Sequence, residues 1–78
     1  MEIAVVGTPE FTLGFQLAGV SHLYHPEGDE ALAETMRDLL GQKDIGIVVI
    51  DSANLTRLSD RLRSRIADSI TPTVLGIG

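Results

Sequence analysis

The chain has 78 residues, a net charge of −5 and no cysteine. This length predicts one small α/β domain over residues 1–78, and the lack of cysteine excludes disulfides and thiolate metal sites. The overall acidity argues against nucleic-acid binding, and no apolar run reaches the roughly 20 residues needed for direct membrane insertion. The first residues lack the basic region of a signal peptide, so we expect a cytoplasmic protein.

The first twenty residues predict a strand followed by a helix. Glu2–Val6 is a short apolar strand that ends at Gly7, and Thr8 caps a helix over Pro9–Ala18. Gly19 is then well placed to stop this helix. Neither a GxGxxG motif after the strand nor a GxxxxGK[ST] motif is present, so we predict no nucleotide cofactor.

The remaining chain alternates strands and helices without a linker or repeat. The predicted elements are strand Val20–Tyr24, a helix from Gly28 or Asp29 to Leu40, strand Ile45–Ile50, helix Ala53–Ile70 and strand Thr73–Gly76. This alternation predicts right-handed crossovers and an open parallel four-stranded sheet. We expect the strand order 2-1-3-4 with helices on both faces, which is a Rossmann-like or receiver-like α/β fold.

The carboxyl ends of the first and third strands are the usual place for a ligand in such a sheet. Asp51 stands where a receiver domain carries its phospho-accepting aspartate, but only Glu10 is available to replace the paired magnesium-binding acids. A receiver-like signalling or small-ligand domain that uses Glu10 and Asp51 is therefore the alternative function. For Asp51 itself, capping of the following helix is favoured. We predict no metal site and no catalytic residue, because His22 and His25 have no suitable partner nearby in sequence.

The first helix carries two separate sets of small and apolar residues. The predicted core-facing stripe is Phe11, Gly14, Phe15 and Ala18. Gly14 disfavours the helix by roughly 1 kcal/mol relative to alanine, which suggests close backbone approach to the sheet or to another chain. Leu13 and Leu17 lie well over 100° from the centre of that stripe. They are either ordinary exposed leucines or a patch for a partner.

The predicted third helix carries a basic stripe. Its inner face is formed by Leu55, Leu58, Leu62 and Ile66. Arg57, Arg61 and Arg65 recur every four residues away from that face, and Asp60 and Asp68 are spaced to pair with Arg57 and Arg65. The stripe is either a solvated, ion-paired surface or a docking surface for an acidic partner. The second possibility agrees with the charge distribution, because residues 1–52 hold nine of the eleven acids.

Four segments carry a family resemblance: the strand IAVVG, the helix motif GFQLAGV, the buried strand IGIVVID and the closing TPTVLGIG. Together they resemble the F subunit of the archaeal A-type and V-type rotary ATPases across essentially the whole chain. The motif Gly14-Phe15-x-Leu17-Ala18-Gly19 is the most specific part. The resemblance implies a non-catalytic component of the central rotor stalk that binds the coiled coil of the D subunit. It also implies a role in coupling ATP hydrolysis or synthesis to ion transport.

The resemblance further implies contacts with other rotary ATPase subunits and a position at the periphery of the cell membrane. The predicted partner interface consists of Leu13, Gly14, Phe15, Leu17, Ala18, Gly19, Arg57, Arg61 and Arg65. Members of the family usually continue past the fourth strand into a C-terminal helical segment tied to the regulation of hydrolysis. We expect residues 1–78 to correspond to the α/β domain without that segment.

Overall fold

The computed structural model describes all 78 residues. The chain forms four strands and four helices, joined by turns and loops. The strands are β1 (Glu2–Val6), β2 (His22–Tyr24), β3 (Ile45–Asp51) and β4 (Thr73–Ile77). The helices are α1 (Pro9–Leu17), α2 (Asp29–Leu40), α3 (Ser52–Leu55) and α4 (Asp60–Asp68). All four strands pair in parallel in the order β2-β1-β3-β4. The predicted α/β fold and its strand order are therefore confirmed.

The junction between β1 and α1 forms as its sequence predicts. The Thr8 hydroxyl accepts a hydrogen bond from the Phe11 N–H at 3.2 Å, and Pro9 occupies the first turn. Gly7 has no room for a side chain, because a Cβ there would lie 2.5 Å from the Phe11 ring. Gly19 has a φ of 103°, a backbone conformation that glycine adopts readily, and it follows the last turn of α1.

The single helix predicted over Ala53–Ile70 is wrong, because the chain forms two helices with a break between them. One Asp51 carboxylate oxygen accepts from the Ala53 N–H at 3.1 Å and caps α3. The Ser59 hydroxyl accepts from the Leu62 N–H at 3.2 Å and caps α4. A serine side chain that bonds the backbone ahead of it favours a helix start over a helix interior. The break therefore falls at residues 56–59.

The main core lies between the sheet and the two helices α2 and α4. It comprises Ala4, Val6, Leu32, Met36, Leu39, Ile45, Val48, Ile50, Leu58, Leu62 and Ile66. The connections to β3 and β4 run in one direction across the sheet, whereas the connection from β1 to β2 runs in the other. Right-handed crossovers consequently place α2 and α4 on one face of the sheet and α1 on the opposite face.

The face of the sheet that carries α1 is only partly covered. Val5, Val49 and Leu75 stand in one row of the parallel register and point away from the main core. Val5 and Val49 are buried, but Leu75 is 47% exposed and Ile77 is 44% exposed. With Ile3, these two residues of β4 form what we call the open face. None of the helices combines the length and apolar character needed to cross a membrane.

Candidate partner interface

The outer side of α1 carries two exposed leucines. Leu13 is 52% exposed and Leu17 is 80% exposed. On a helical wheel Leu13 lies about 100° and Leu17 about 140° from Thr12, which is the one buried residue of this helix. The prediction that these leucines point away from the core is therefore confirmed, and they form an exposed apolar pair one turn apart.

The predicted core-facing stripe of α1 is only half right. Phe11 and Phe15 are half-buried, with ring centroids 5.5 Å apart, whereas Gly14 and Ala18 are exposed. The helix is rotated so that Thr12 faces inward. The Thr12 hydroxyl makes hydrogen bonds to the Pro9 carbonyl at 3.3 Å and to His25 Nε2 at 2.8 Å. Because these contacts satisfy the hydroxyl, its burial is tolerated, and apolar periodicity gives no sign of it.

Gly14 makes no close approach to the sheet. A Cβ at this position would have no heavy atom within 4 Å outside the local helix, and the same holds at Gly19. The suggestion that the sheet requires a glycine here is thus wrong. Of the six α1-region residues predicted for the partner interface, five are exposed and Phe15 is half-buried. We call Leu13, Gly14, Phe15, Leu17, Ala18 and Gly19 the α1 surface.

Arg57 does not belong to a continuous arginine stripe. It lies in the break between α3 and α4, where its Nε donates to an Asp29 carboxylate oxygen at 2.7 Å. Asp60 pairs with Arg63 instead of Arg57. Of the three arginines predicted to share one helix side, only Arg61 and Arg65 lie in α4.

A residue that the sequence did not single out joins these two arginines. Arg37, from α2, lines a groove of about 390 Å³ together with Ser59, Arg61, Leu62 and Arg65. The groove exists because α2 and α4 pack side by side. Spacing within one helix cannot reveal a neighbour on another, and the lone arginine of α2 gave no signal of its own.

Glu10 and Asp51, the two acids of the alternative receiver-like site, both lie at helix starts at the carboxyl edge of the sheet. Asp51 caps α3, as the sequence favoured, and Glu10 is exposed in the first turn of α1. A small cavity of about 230 Å³ lies at this edge, and neither Glu10 nor Asp51 lines it. No group of three or more His, Cys, Asp or Glu side chains is arranged to hold a metal ion.

Comparison with known proteins identifies the family. The model of the family described as ATP synthase (F/14-kDa) subunit matches residues 3–78. The F subunit of the A-type ATP synthase from Methanocorpusculum labreanum is 46% identical over all 78 residues, which cover 78% of that protein. The corresponding protein of Methanospirillum hungatei is 42% identical, with the same coverage of both chains.

A solved structure agrees with this assignment. The crystal structure of the V-type ATP synthase F subunit from Archaeoglobus fulgidus superposes with a TM-score of 0.90 at 38% identity. The match covers 99% of the present chain and 96% of that chain. Sequence and fold thus agree over nearly the full length, and the chain belongs to the family of ATP synthase F subunits.

Proposed function

We propose that this F subunit is a non-catalytic part of the central rotor stalk, where it binds the coiled coil of the D subunit. Through that contact it helps couple ATP hydrolysis or synthesis to ion transport, at the periphery of the membrane. Family membership supports a place in an A-type or V-type ATP synthase. The observation that carries the binding role is the exposed apolar pair Leu13 and Leu17 on α1.

The α1 surface suits packing against another helix. Leu13 and Leu17 stand one turn apart and form a ridge, and the small residues Gly14 and Ala18 next to them are exposed and add little bulk. Small residues at such a contact allow the two helix backbones to come closer together. A coiled coil presents long helices, so one of them can lie along α1 and bury both leucines.

The energy available from this contact is substantial. Fully burying one leucine contributes about 1.5–3 kcal/mol, and both leucines are at least half exposed before binding. Losing about 3 kcal/mol corresponds to roughly a hundredfold change in the dissociation constant. Leu13 and Leu17 together therefore suffice to decide whether a complex survives purification.

The test is co-purification of the chain with the D subunit of the same synthase. The variant Leu13→Asp/Leu17→Asp places two carboxylates in the proposed contact, so we expect it to lose the D subunit during affinity and size-exclusion chromatography. Because both side chains are exposed, the variant should fold as the wild type does, which circular dichroism checks.

Ile70→Asp is the matched control for this experiment. Ile70 is 84% exposed but lies in the connection between α4 and β4, away from α1. We expect this variant to retain the D subunit. Retention of that partner by Leu13→Asp/Leu17→Asp would remove α1 from the interface, and failure of the wild type to bind would contradict the assignment of the D subunit as partner.

A further inference from the structure

Three positively charged side chains line the groove between α2 and α4, although the protein as a whole is acidic. Arg37 forms one wall, and Arg61 and Arg65 form the other. Leu62 is buried and forms the floor, so the three guanidinium groups surround a small apolar base. The groove lies on the face of the sheet opposite α1, and it is therefore separate from the α1 surface.

The chain leaves these three arginines without acidic partners. Its ion pairs join Arg57 to Asp29 and Arg63 to Asp60, and His22 Nε2 lies 3.8 Å from a Glu2 carboxylate oxygen. Glu34 and Asp68 stand three residues from Arg37 and Arg65, a spacing at which helical ion pairs can form. No carboxylate nevertheless comes within 4 Å of the three groove arginines. Their positive charge is consequently free to attract an anion, despite the net charge of −5.

We propose that this groove docks an acidic helical segment of a neighbouring protein. A guanidinium group binds a carboxylate through two parallel hydrogen bonds. Arg61 and Arg65 lie one helical turn apart, which matches carboxylates spaced four residues apart on a second helix. Arg37 contacts the same segment from the other wall. The Ser59 hydroxyl accepts from the Leu62 N–H and keeps its own proton to donate.

The shape and lining of the groove favour a protein segment over a compact anion. Small-molecule sites are mostly apolar with a few polar groups, whereas Leu62 is the one apolar residue of five here. A second hollow of about 440 Å³ also has Arg65 in its lining, together with Leu40, Asp68 and Ser69. Both hollows are lined by residues of α2 and α4, so a chain segment that runs along the two helices could contact both, whereas a phosphate would fill only part of one.

The test uses a fluorescent alanine-rich helical peptide with glutamate pairs four residues apart, and a matched peptide with glutamine in their place. We expect the glutamate peptide to bind the full chain at least tenfold more tightly by fluorescence anisotropy. It should shift the NMR amide signals of Ser59 and Leu62. Raising the salt concentration from about 50 to about 200 mM should weaken binding several-fold, because exposed charges are screened.

Arg61→Gln/Arg65→Gln should lower the affinity for the glutamate peptide at least tenfold, and Arg37→Gln provides an independent variant from the other wall. Arg63→Gln is the matched control, since Arg63 lies in the same helix but pairs with Asp60 outside the groove. Equal binding of both peptides, or equal loss with Arg63→Gln, would overturn the proposal. The proposal would also be overturned if tripolyphosphate bound more tightly than the peptide and displaced it, because the groove would then be a site for small anions. None of these measurements involves the D subunit.

Discussion

Gly14 occupies a position where its own fold does not need a glycine. It lies inside α1, and glycine is about 1 kcal/mol less favourable than alanine in a helix interior. No heavy atom outside the local helix lies within 4 Å of the site of a Cβ. We therefore expect Gly14→Ala to raise the free energy of unfolding of the isolated chain by about 0.5–1 kcal/mol in urea denaturation.

The same variant has an opposite effect on the complex if a helix of the D subunit packs closely on Gly14. A methyl group there would hold the two helices apart, so binding should weaken although the isolated chain becomes more stable. Gly41→Ala is the control, because Gly41 ends α2 and a Cβ there makes only ordinary contacts. Unchanged binding of the D subunit by Gly14→Ala would show that Gly14 lies outside the interface.

At the scale of elements, the sequence predicts strands and helix starts better than helix continuity. The apolar positions Leu58, Leu62 and Ile66 are buried as predicted. Their spacing of four residues continues a helical pattern through the break, so periodicity alone gave one long helix. The decisive signal was Ser59 followed by Asp60, which is a typical helix start. Tertiary packing holds Leu58, within the break, and Leu62, in α4, in the core.

Ser59→Ala distinguishes the broken helix from a continuous one. In the observed structure the Ser59 hydroxyl caps α4, so its loss should lower the free energy of unfolding by about 1 kcal/mol. In a continuous helix Ser59 would be an interior residue, and alanine would be neutral or stabilising. Chemical denaturation of the two proteins measures the difference and its sign.

Ser64→Ala provides the matched control for the cap. Ser64 is exposed in the middle of α4 and caps nothing, so we expect its replacement to leave stability unchanged or to increase it slightly. Equal destabilisation by Ser59→Ala and Ser64→Ala would contradict a specific role of the Ser59 hydroxyl at the start of α4.

At the scale of the whole molecule, the two faces of the sheet explain why the candidate sites were only partly predictable. Alternating elements predict the order 2-1-3-4 and hence which helices share a face. They do not show that α1 leaves Leu75 and Ile77 exposed, because coverage depends on where a helix lies over the sheet. They also cannot bring Arg37 beside Arg61 and Arg65, since that contact arises when α2 packs on α4.

The open face lies on the same side of the sheet as α1, so a long helix of the D subunit that packs on this side can contact both the open face and α1. We expect Leu75→Thr/Ile77→Thr to weaken binding of the D subunit at least tenfold in a titration followed by calorimetry. Stability should fall by no more than about 1–2 kcal/mol, because both residues are nearly half exposed and threonine suits a strand. Ile70→Thr removes a more exposed isoleucine from the connection before β4, at the opposite end of that strand from Ile77, and should bind normally. If Leu75→Thr/Ile77→Thr binds as tightly as the wild type, the exposed side chains of β4 lie outside the contact with the D subunit.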